Sequence, residues 1–417
     1  MDVQKNNLAL VFMGGFSRLG PNFGVLNACH QATRMGFQPP DYAVGSSAGN
    51  IDLLIGSQWD EESLKIAREV MLNLERKHFA SLHPQLKRKL ALELAATTAL
   101  LLPTHLIPNK TLRHGTALLL AGLAYYSEER MLEALFKSPS LLVYDNLVKL
   151  LSRMVNFDKV FDSPLKIEVP SVNLNKAGWT LDTLYDPTMH LKGWSVMNNF
   201  EPQFVNLEPA VRKQRMINAV VNGARVFGFF NPGQDENGDY ITDTAALSNI
   251  PIQFAVRRGY TNIVVFMYNC TGEGITSDSL DMLVKALPRN FDVVTSENTR
   301  KTTLGYLRVN NDLDELEKQE RSMRELEKVL DYPQVDEVVK ASVRRYLREK
   351  RESDRRLSYA GKQRINLLLV RSDYLPVTNF SSFTKDDIET GMLIGEKAFW
   401  DNVRTIEKMR TSIVKAL

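Results

Sequence analysis

The residues Gly45–Gly49 form a G-x-S-x-G pattern with Ser47 at its centre. The apolar run before it, DYAVG, predicts a short buried strand, and the residues from Ser47 to about Ser57 have the pattern of a helix. A serine in this position sits on a sharp turn that exposes its hydroxyl, and the flanking glycines prevent side-chain collisions there. The pattern therefore predicts nucleophilic acyl transfer by Ser47. The alternative is a turn rich in glycine and serine that binds nothing.

A serine nucleophile needs a base, and the distribution of histidines limits which side chain that is. In the α/β-hydrolase order the histidine comes last, but the last histidine of this chain is His190. A carboxylate is the substitute, and Asp243 lies in the small-residue segment ITDTAALSNIP, after a short strand pattern. If that strand runs parallel to the one before Ser47, both side chains lie at the same edge of the sheet. The alternative role for Asp243 is a helix N-cap.

Gly14 and Gly15 end the first apolar run, LALVFMGG, which predicts a buried strand that enters a tight turn. Acyl transfer also requires backbone N–H donors for the oxyanion, and glycines allow a close approach to such donors. We therefore expect Gly14 and Gly15 to form the oxyanion hole and Arg18 to add positive charge near an anionic headgroup. The alternatives are a plain strand-to-helix turn and a phosphate-binding loop, although neither G-x-x-x-x-G-K-[ST] nor G-x-G-x-x-G occurs here.

The order of the predicted elements favours an α/β fold with a mostly parallel sheet. A helix over 23–35 follows the glycine turn, so the chain begins strand, helix, strand, helix. Strand patterns return at LKIEVPSVNL, FAVRRGYTNIVVFMYN and QRINLLLVRSD, with helical patterns between them.

Two segments do not follow this alternation. Residues 60–158 are helix-rich and contain the apolar runs LALELAATTALLLP and TALLLAGLAYY, each shorter than the roughly 20 residues that span a bilayer. We predict a helical insertion there, either a buried subdomain or a membrane-docking lid at 87–126. More than half of the residues in 312–356 are charged, which predicts an exposed helical hairpin broken at Pro333. The second helix of this hairpin is basic, which is typical of a face exposed to solvent. The alternative is a face that binds anionic lipid headgroups.

Composition limits the class of protein. The chain has 417 residues, and 44% of them are hydrophobic, which excludes a disordered chain. Its net charge of +3 gives no support for binding of nucleic acid over the whole chain. Its 2 cysteines are too few for a disulfide scaffold or a cysteine-rich zinc site. The first residues lack the basic and apolar regions of a secretory signal. We expect a cytoplasmic protein with no transmembrane helix that is, at most, peripheral on membranes.

These segments, in this order, resemble those of the patatin-like phospholipases, lipid acyl hydrolases with a Ser–Asp dyad. The serine elbow of the family is matched by GSSAG. Its G-G-G-x-R-G turn is replaced by LVFMGGFSRLGPNFGVL, and its D-G-G/A motif with the trailing N-x-P is similar to DTAALSNIP. INAVVNGARVFGFFNP and RINLLLVRSDYLP also fit, so the resemblance extends from residue 8 to about residue 400. It implies a single domain over 1–417, with a three-layer α/β/α architecture, a mostly parallel central sheet and a helical insertion. It also implies a dyad that requires no cofactor and no metal.

The sequence departs from the family pattern within its motifs. Phe16 stands in place of the third glycine of the turn, Leu19 in place of the glycine after the arginine, and Thr244 in place of the glycine after the aspartate. We expect Phe16 to alter the shape of the oxyanion turn or the fit of the substrate, and Thr244 to affect how Asp243 is aimed.

The resemblance implies a phospholipase A or lysophospholipase that cleaves fatty-acyl esters at a membrane surface through Ser47, Asp243 and an acyl-enzyme. Two alternatives stay open: a transacylase with the same dyad, and a catalytically silent lipid-binding or scaffold protein. A lid at 87–126 would keep the enzyme slow until a membrane or an activating protein partner moves it. Nucleic acid is not expected as a partner.

Overall fold

The computed structural model of the chain describes residues 8–15, 20–73, 81–82, 88, 142–143, 145–177, 193–226, 230–268, 283–355, 364–372 and 384–411. Phe16 and Arg18 lie outside the described residues, as does the predicted lid at 87–126 except for one position. Of the predicted insertion at 60–158, the described parts are its two ends and a few residues between them.

The described strands are β1 Leu8–Phe12, β2 Tyr42–Gly45, β3 Ser81–Leu82, β4 Leu142–Val143, β5 Lys166–Asn173, β6 Trp194–Asn198, β7 Gly233–Gln234, β8 Tyr240–Thr242, β9 Asn262–Tyr268 and β10 Asn366–Ser372. The described helices are α1 Pro21–Arg34, α2 Ala48–Gly56, α3 Glu61–Leu72, α4 Asp145–Met154, α5 Phe157–Phe161, α6 Pro202–Val205, α7 Pro209–Gly223, α8 Ile252–Arg257, α9 Leu283–Leu330, α10 Glu337–Arg355 and α11 Lys385–Thr411. A short 3-10 helix, Thr244–Ala246, follows β8.

The central sheet has eight strands, in the order β10-β9-β1-β2-β5-β8-β7, with β6 paired to β5 outside this order. β10, β9, β1, β2 and β5 all run parallel to one another. β6 and β8 run antiparallel to β5, and β7 runs antiparallel to β8. The predicted α/β fold with a mostly parallel sheet is therefore confirmed. β3 and β4 form a separate antiparallel pair.

One edge of β5 carries two different strands. β2 pairs with residues 166–168 of β5 and β8 pairs with residues 172–173, while β6 occupies the opposite edge. Because β2 runs parallel and β8 antiparallel to β5, their carboxyl ends point at each other across residues 169–171. The strand before Asp243 thus does not run parallel to the strand before Ser47, contrary to the assumption made from the sequence. The two side chains meet because the strands converge end to end along β5.

Both faces of the sheet are covered by helices. Leu8 and Phe12 of β1 belong to a core that also contains residues of α1, α2, α7 and α11. Ala9 and Val11 face the other way, into a second core that contains residues of α8 and the partly buried Tyr306 of α9. Successive residues of a strand alternate between its faces, so a strand that is buried on both sides is a continuous apolar run. This is why LALVF is recognisable as β1.

The charged segment at 312–356 falls on the last part of α9 and on α10. α9 has 48 residues, so the helix begins well before the charged run, and residues 331–336 separate it from α10. Leu313, Met323 and Leu347 are buried, and many of the charged side chains form ion pairs within one helix, such as Arg324 with Glu320. Such exposed pairs contribute little to stability.

Within the ranges described, none of the helices combines the length and the apolar character that a membrane crossing requires.

Candidate active site

Ser47 occupies the turn between β2 and α2, where the backbone is strained. Its φ is 51° and its ψ is −124°, a conformation that costs a non-glycine residue of the order of 1–3 kcal/mol. Gly45 permits the turn, because a Cβ there would lie 2.7 Å from the carbonyl of Gly49. A Cβ on Gly49 would lie 3.0 Å from the carbonyl oxygen of Met13. The two glycines of the pattern therefore allow the serine turn to pack against itself and against the end of β1.

Asp243 follows β8 directly, and the structure brings its carboxylate to Ser47. The Ser47 hydroxyl donates a hydrogen bond of 2.6 Å to Oδ2 of Asp243, across 196 positions of sequence. The other oxygen, Oδ1, accepts a 2.7 Å bond from the backbone N–H of Ala245 and so caps the 3-10 helix. One oxygen of this aspartate therefore contacts the serine hydroxyl, and the other caps the 3-10 helix. The two side chains are nearly inaccessible, with 2% of Ser47 and 1% of Asp243 exposed.

Burial raises the pKa of the Asp243 carboxyl to about 7, although the Ser47 hydroxyl and the Ala245 N–H lower it. Removal from water disfavours the charged form, and two hydrogen bonds do not compensate fully for the lost hydration. A carboxyl with a pKa near neutral pH suits general-base chemistry, since it is partly ionised and still basic enough to accept a proton.

Thr244 stands where the resembled family has a glycine, and its side chain is fully buried. Its hydroxyl donates a 2.6 Å hydrogen bond to the carbonyl oxygen of Pro170 in β5. The Asn50 side chain also donates to Pro170, at 3.3 Å. The threonine thus braces the turn after Asp243 against the central sheet, at the gap between β2 and β8.

The glycine pair lies directly against the serine turn. A Cβ on Gly14 would be 2.8 Å from Cβ of Ser47 and 2.9 Å from the carbonyl oxygen of Ser46. The N–H of Gly14 donates to the carbonyl oxygen of Asn249 at 3.3 Å, so this predicted oxyanion donor has a partner within the protein. For the N–H of Gly15, no acceptor occurs among the described residues.

Two further residues of the site were not singled out from the sequence. Ala48 is the first residue of α2, and within the described chain its N–H has no acceptor, as is usual in the first turn of a helix. The signal was present, because the residue after the nucleophile supplies an oxyanion donor in serine elbows. Asp52, the one charged residue of α2, is fully buried. A carboxylate within an apolar helix is recognisable from the sequence as an unusual residue, because charged side chains are rarely buried without a partner.

In the part of the chain that the structure describes, no three His, Cys, Asp or Glu side chains are grouped so that they could hold a metal ion.

Comparison with known protein families and with curated proteins finds no match. Among solved structures, the chain is similar to VipD from Legionella pneumophila, with 13% sequence identity and a TM-score of 0.34, over 97% of this chain and 67% of that chain. A likeness at that level carries no argument about the fold or the activity of this chain.

Proposed function

We propose that this protein is a serine acyl hydrolase in which Ser47 is the nucleophile and Asp243 the general base. The observation that carries the proposal is the 2.6 Å hydrogen bond from the Ser47 hydroxyl to the Asp243 carboxylate. The strained backbone at Ser47 supports it, because strain of this kind is concentrated at functional sites. The raised pKa of Asp243 supports it as well, because a purely structural cap has no need of a base near neutral pH.

The proposed reaction has two stages. In the first, ionised Asp243 accepts the proton of Ser47 while Oγ attacks the carbonyl carbon of an ester, and a tetrahedral oxyanion forms. The intermediate collapses when the bond to the alcohol oxygen breaks and Asp243 returns the proton to that oxygen. In the second stage Asp243 accepts a proton from a water molecule, whose oxygen attacks the acyl carbon and forms a second tetrahedral oxyanion. This intermediate collapses when the bond to Ser47 Oγ breaks, Asp243 returns the proton to Oγ, and the fatty acid is released.

The oxyanion needs donors that stand ready before the reaction, each worth about 10²–10³ in rate. We assign this role to the N–H groups of Gly15 and Ala48, which have no acceptor among the described residues. Gly14, which was expected to donate, instead supplies the close contact with Ser47 and Ser46 that leaves no room for a side chain.

The class of substrate comes from the resemblance to patatin-like phospholipases rather than from the dyad. On that basis we propose a phospholipase A or lysophospholipase with a patatin-like arrangement of layers, acting on fatty-acyl esters at a membrane surface. Arg18 and Phe16 are the proposed contacts to the headgroup and to the substrate. The segment 87–126, within the helical insertion at 60–158, is the proposed lid, which a membrane or a protein partner would move.

The test is fatty-acid release from phosphatidylcholine vesicles, with products identified by mass spectrometry. Ser47→Ala is expected to abolish release. The matched control is Ser46→Ala, because Ser46 is the neighbouring buried serine and its hydroxyl donates to the carbonyl oxygen of Ser248 rather than to Asp243. Undiminished release by Ser47→Ala, or an equal loss in both variants, would contradict the proposal.

A transacylase with the same dyad is the second candidate, because an acyl-enzyme on Ser47 can pass its acyl group to an alcohol instead of to water. The same assay with added lysophospholipid separates the two reactions. Growth of a diacyl product at the expense of free fatty acid would identify the transacylase.

A further inference from the structure

Asp52 is a buried carboxylate that the proposed mechanism does not use. It lies on α2, five residues after Ser47, and none of its surface is exposed. Its two oxygens accept the N–H of Gly20 at 3.2 and 3.1 Å, and the backbone N–H groups of Asn22 and Phe23 favour the charged form of the carboxylate. These amides are the N-terminal end of α1, so the charge of Asp52 faces the positive end of a helix dipole.

The amides that Asp52 holds lie where the chain returns from the glycine turn. Gly20 is the N-cap of α1, with φ at +103°, and its own residue type offers no side chain to cap the helix. Asn22 reaches back to the start of the turn, because its side chain donates to the carbonyl oxygen of Met13 at 3.3 Å. The hydroxyl of Tyr268, at the end of β9, donates to the Asn22 side chain. One network thus connects the serine helix, the first turn of α1 and the residue before Gly14.

A neutral side chain would suffice if capping were the whole purpose. Asparagine and serine cap helices about as well as aspartate does, and they avoid the cost of a buried charge. Burial raises the pKa of Asp52 to about 7, against the lowering effect of the three amides. A group that is costly to bury, placed on the helix that carries the nucleophile, points to a role in the reaction.

We propose that Asp52 is a positioning residue: from the helix that carries Ser47, its ionised carboxylate holds the N-terminal end of α1 and thereby keeps the Gly14–Gly15 turn in register with the nucleophile. This inference rests on the proposed function. An oxyanion donor acts only at the correct distance from the developing charge, so release of α1 would lower turnover without removing any group that touches substrate.

The pH dependence of turnover separates positioning from mere structural support. Of the titratable groups in the described chain, Tyr268 on β9 faces Asp52, and its own pKa lies well above the usual range, so it stays neutral. If Asp52 and Asp243 must both be ionised, kcat in the wild type falls by up to a hundredfold per pH unit below pH 7. With Asp52→Asn, only Asp243 titrates, and the fall is tenfold per unit.

The experiment measures kcat and KM from pH 5 to pH 9 with a short-chain phosphatidylcholine that stays monomeric. Asp52→Asn is expected to lower kcat at pH 8 by tenfold or more, to change KM less than twofold, and to give the shallower pH profile. The matched control is Asp41→Asn. Asp41 is a partly buried carboxylate at the far end of β1, where it accepts the N–H of Leu8 at 3.0 Å. We expect this variant to keep the wild-type kcat and the steep profile.

A second variant covers the case in which Asp52→Asn does not fold. Tyr268→Phe removes the hydroxyl that holds Asn22 and leaves every carboxylate in place, so we expect a smaller loss of kcat and an unchanged slope. If Asp52→Asn has the kcat of the wild type and the same slope of kcat against pH, the inference is overturned. If Asp52→Asn cannot be purified, an unchanged kcat in Tyr268→Phe overturns it. Full activity in Ser47→Ala would instead overturn the proposed function, so the two failures are distinguishable.

Discussion

Replacing Asp243 with asparagine is expected to make the protein more stable at alkaline pH and nearly inactive at the same time. Folding raises the pKa of Asp243 from its ordinary value of 3.8 to about 7, a difference that corresponds to about 4 kcal/mol against the ionised form in the folded state. Asparagine has no charge to bury. Its carbonyl oxygen still accepts the Ser47 hydroxyl, but its amino group cannot accept the Ala245 N–H, a loss of about 1–3 kcal/mol. The net gain at pH 8 is therefore about 1–3 kcal/mol.

The stability advantage of Asp243→Asn over the wild type increases with pH, because folding raises the pKa of Asp243. In the unfolded chain Asp243 is ionised above about pH 4, whereas in the folded protein it stays protonated up to about pH 7. Unfolding between these values releases a proton, so the wild type loses stability as the pH rises from 4 to 7. The asparagine in the Asp243→Asn variant does not titrate, so the variant is spared this loss. Near pH 4 the advantage disappears, and the lost Ala245 bond leaves the variant the less stable protein.

The assay is urea denaturation followed by circular dichroism at pH 4 and pH 8, with vesicle hydrolysis measured at pH 8. Loss of the general base is expected to lower hydrolysis by about 10²–10⁴. A variant that is less stable than the wild type at pH 8 would refute the burial argument. Hydrolysis at the wild-type rate by a variant of confirmed stability would refute the assignment of Asp243 as the base.

Two further predictions concern the packing around the dyad. Gly14→Ala is expected to lower both stability and hydrolysis, because its Cβ would lie 2.8 Å from Cβ of Ser47. The control is Gly305→Ala, where nothing lies within 4 Å of the new Cβ. Both variants are compared in thermal unfolding and vesicle assays, and equal melting temperatures would contradict the close contact at Gly14. Thr244→Val keeps the shape of the side chain but removes the 2.6 Å donor to the Pro170 carbonyl, which keeps the 3.3 Å bond from Asn50. We therefore expect the free energy of unfolding to fall by about 0.5–1.5 kcal/mol. An unchanged value in urea denaturation would show that the hydroxyl does not brace the turn.

The elements that carry the dyad were largely predictable from the sequence. β1, β2 and β9 are buried along almost their whole length, and each is therefore a visible apolar run. β10 is mostly half-buried, but it contains the apolar run LLLV. The elbow at Ser47 was recognisable because close contacts exclude side chains at both of its glycines, with Gly45 against Gly49 and Gly49 against the end of β1. Asp243 was found by elimination, since the late part of the chain has no histidine.

The arrangement that brings the dyad together was not predictable, because it depends on contacts between distant residues. β8 has three residues and pairs with two residues of β5, and so short a strand does not reveal its direction. The partner of the Gly14 N–H is the carbonyl of Asn249, which no pattern near Gly14 indicates. Asp52 is visible as a lone charge in an apolar helix, but the amides that it holds belong to α1.

The central claim is that the Ser47 hydroxyl is activated by Asp243, and covalent labelling tests it most directly. The protein is treated with a fluorophosphonate at pH 8, and the modified peptide is identified by mass spectrometry. We predict a phosphonyl adduct on Ser47 that is absent in Ser47→Ala, strongly slowed in Asp243→Asn and retained in Ser46→Ala. An unlabelled wild-type protein, an adduct on a different serine, or equal labelling rates in the wild type and Asp243→Asn would contradict the account.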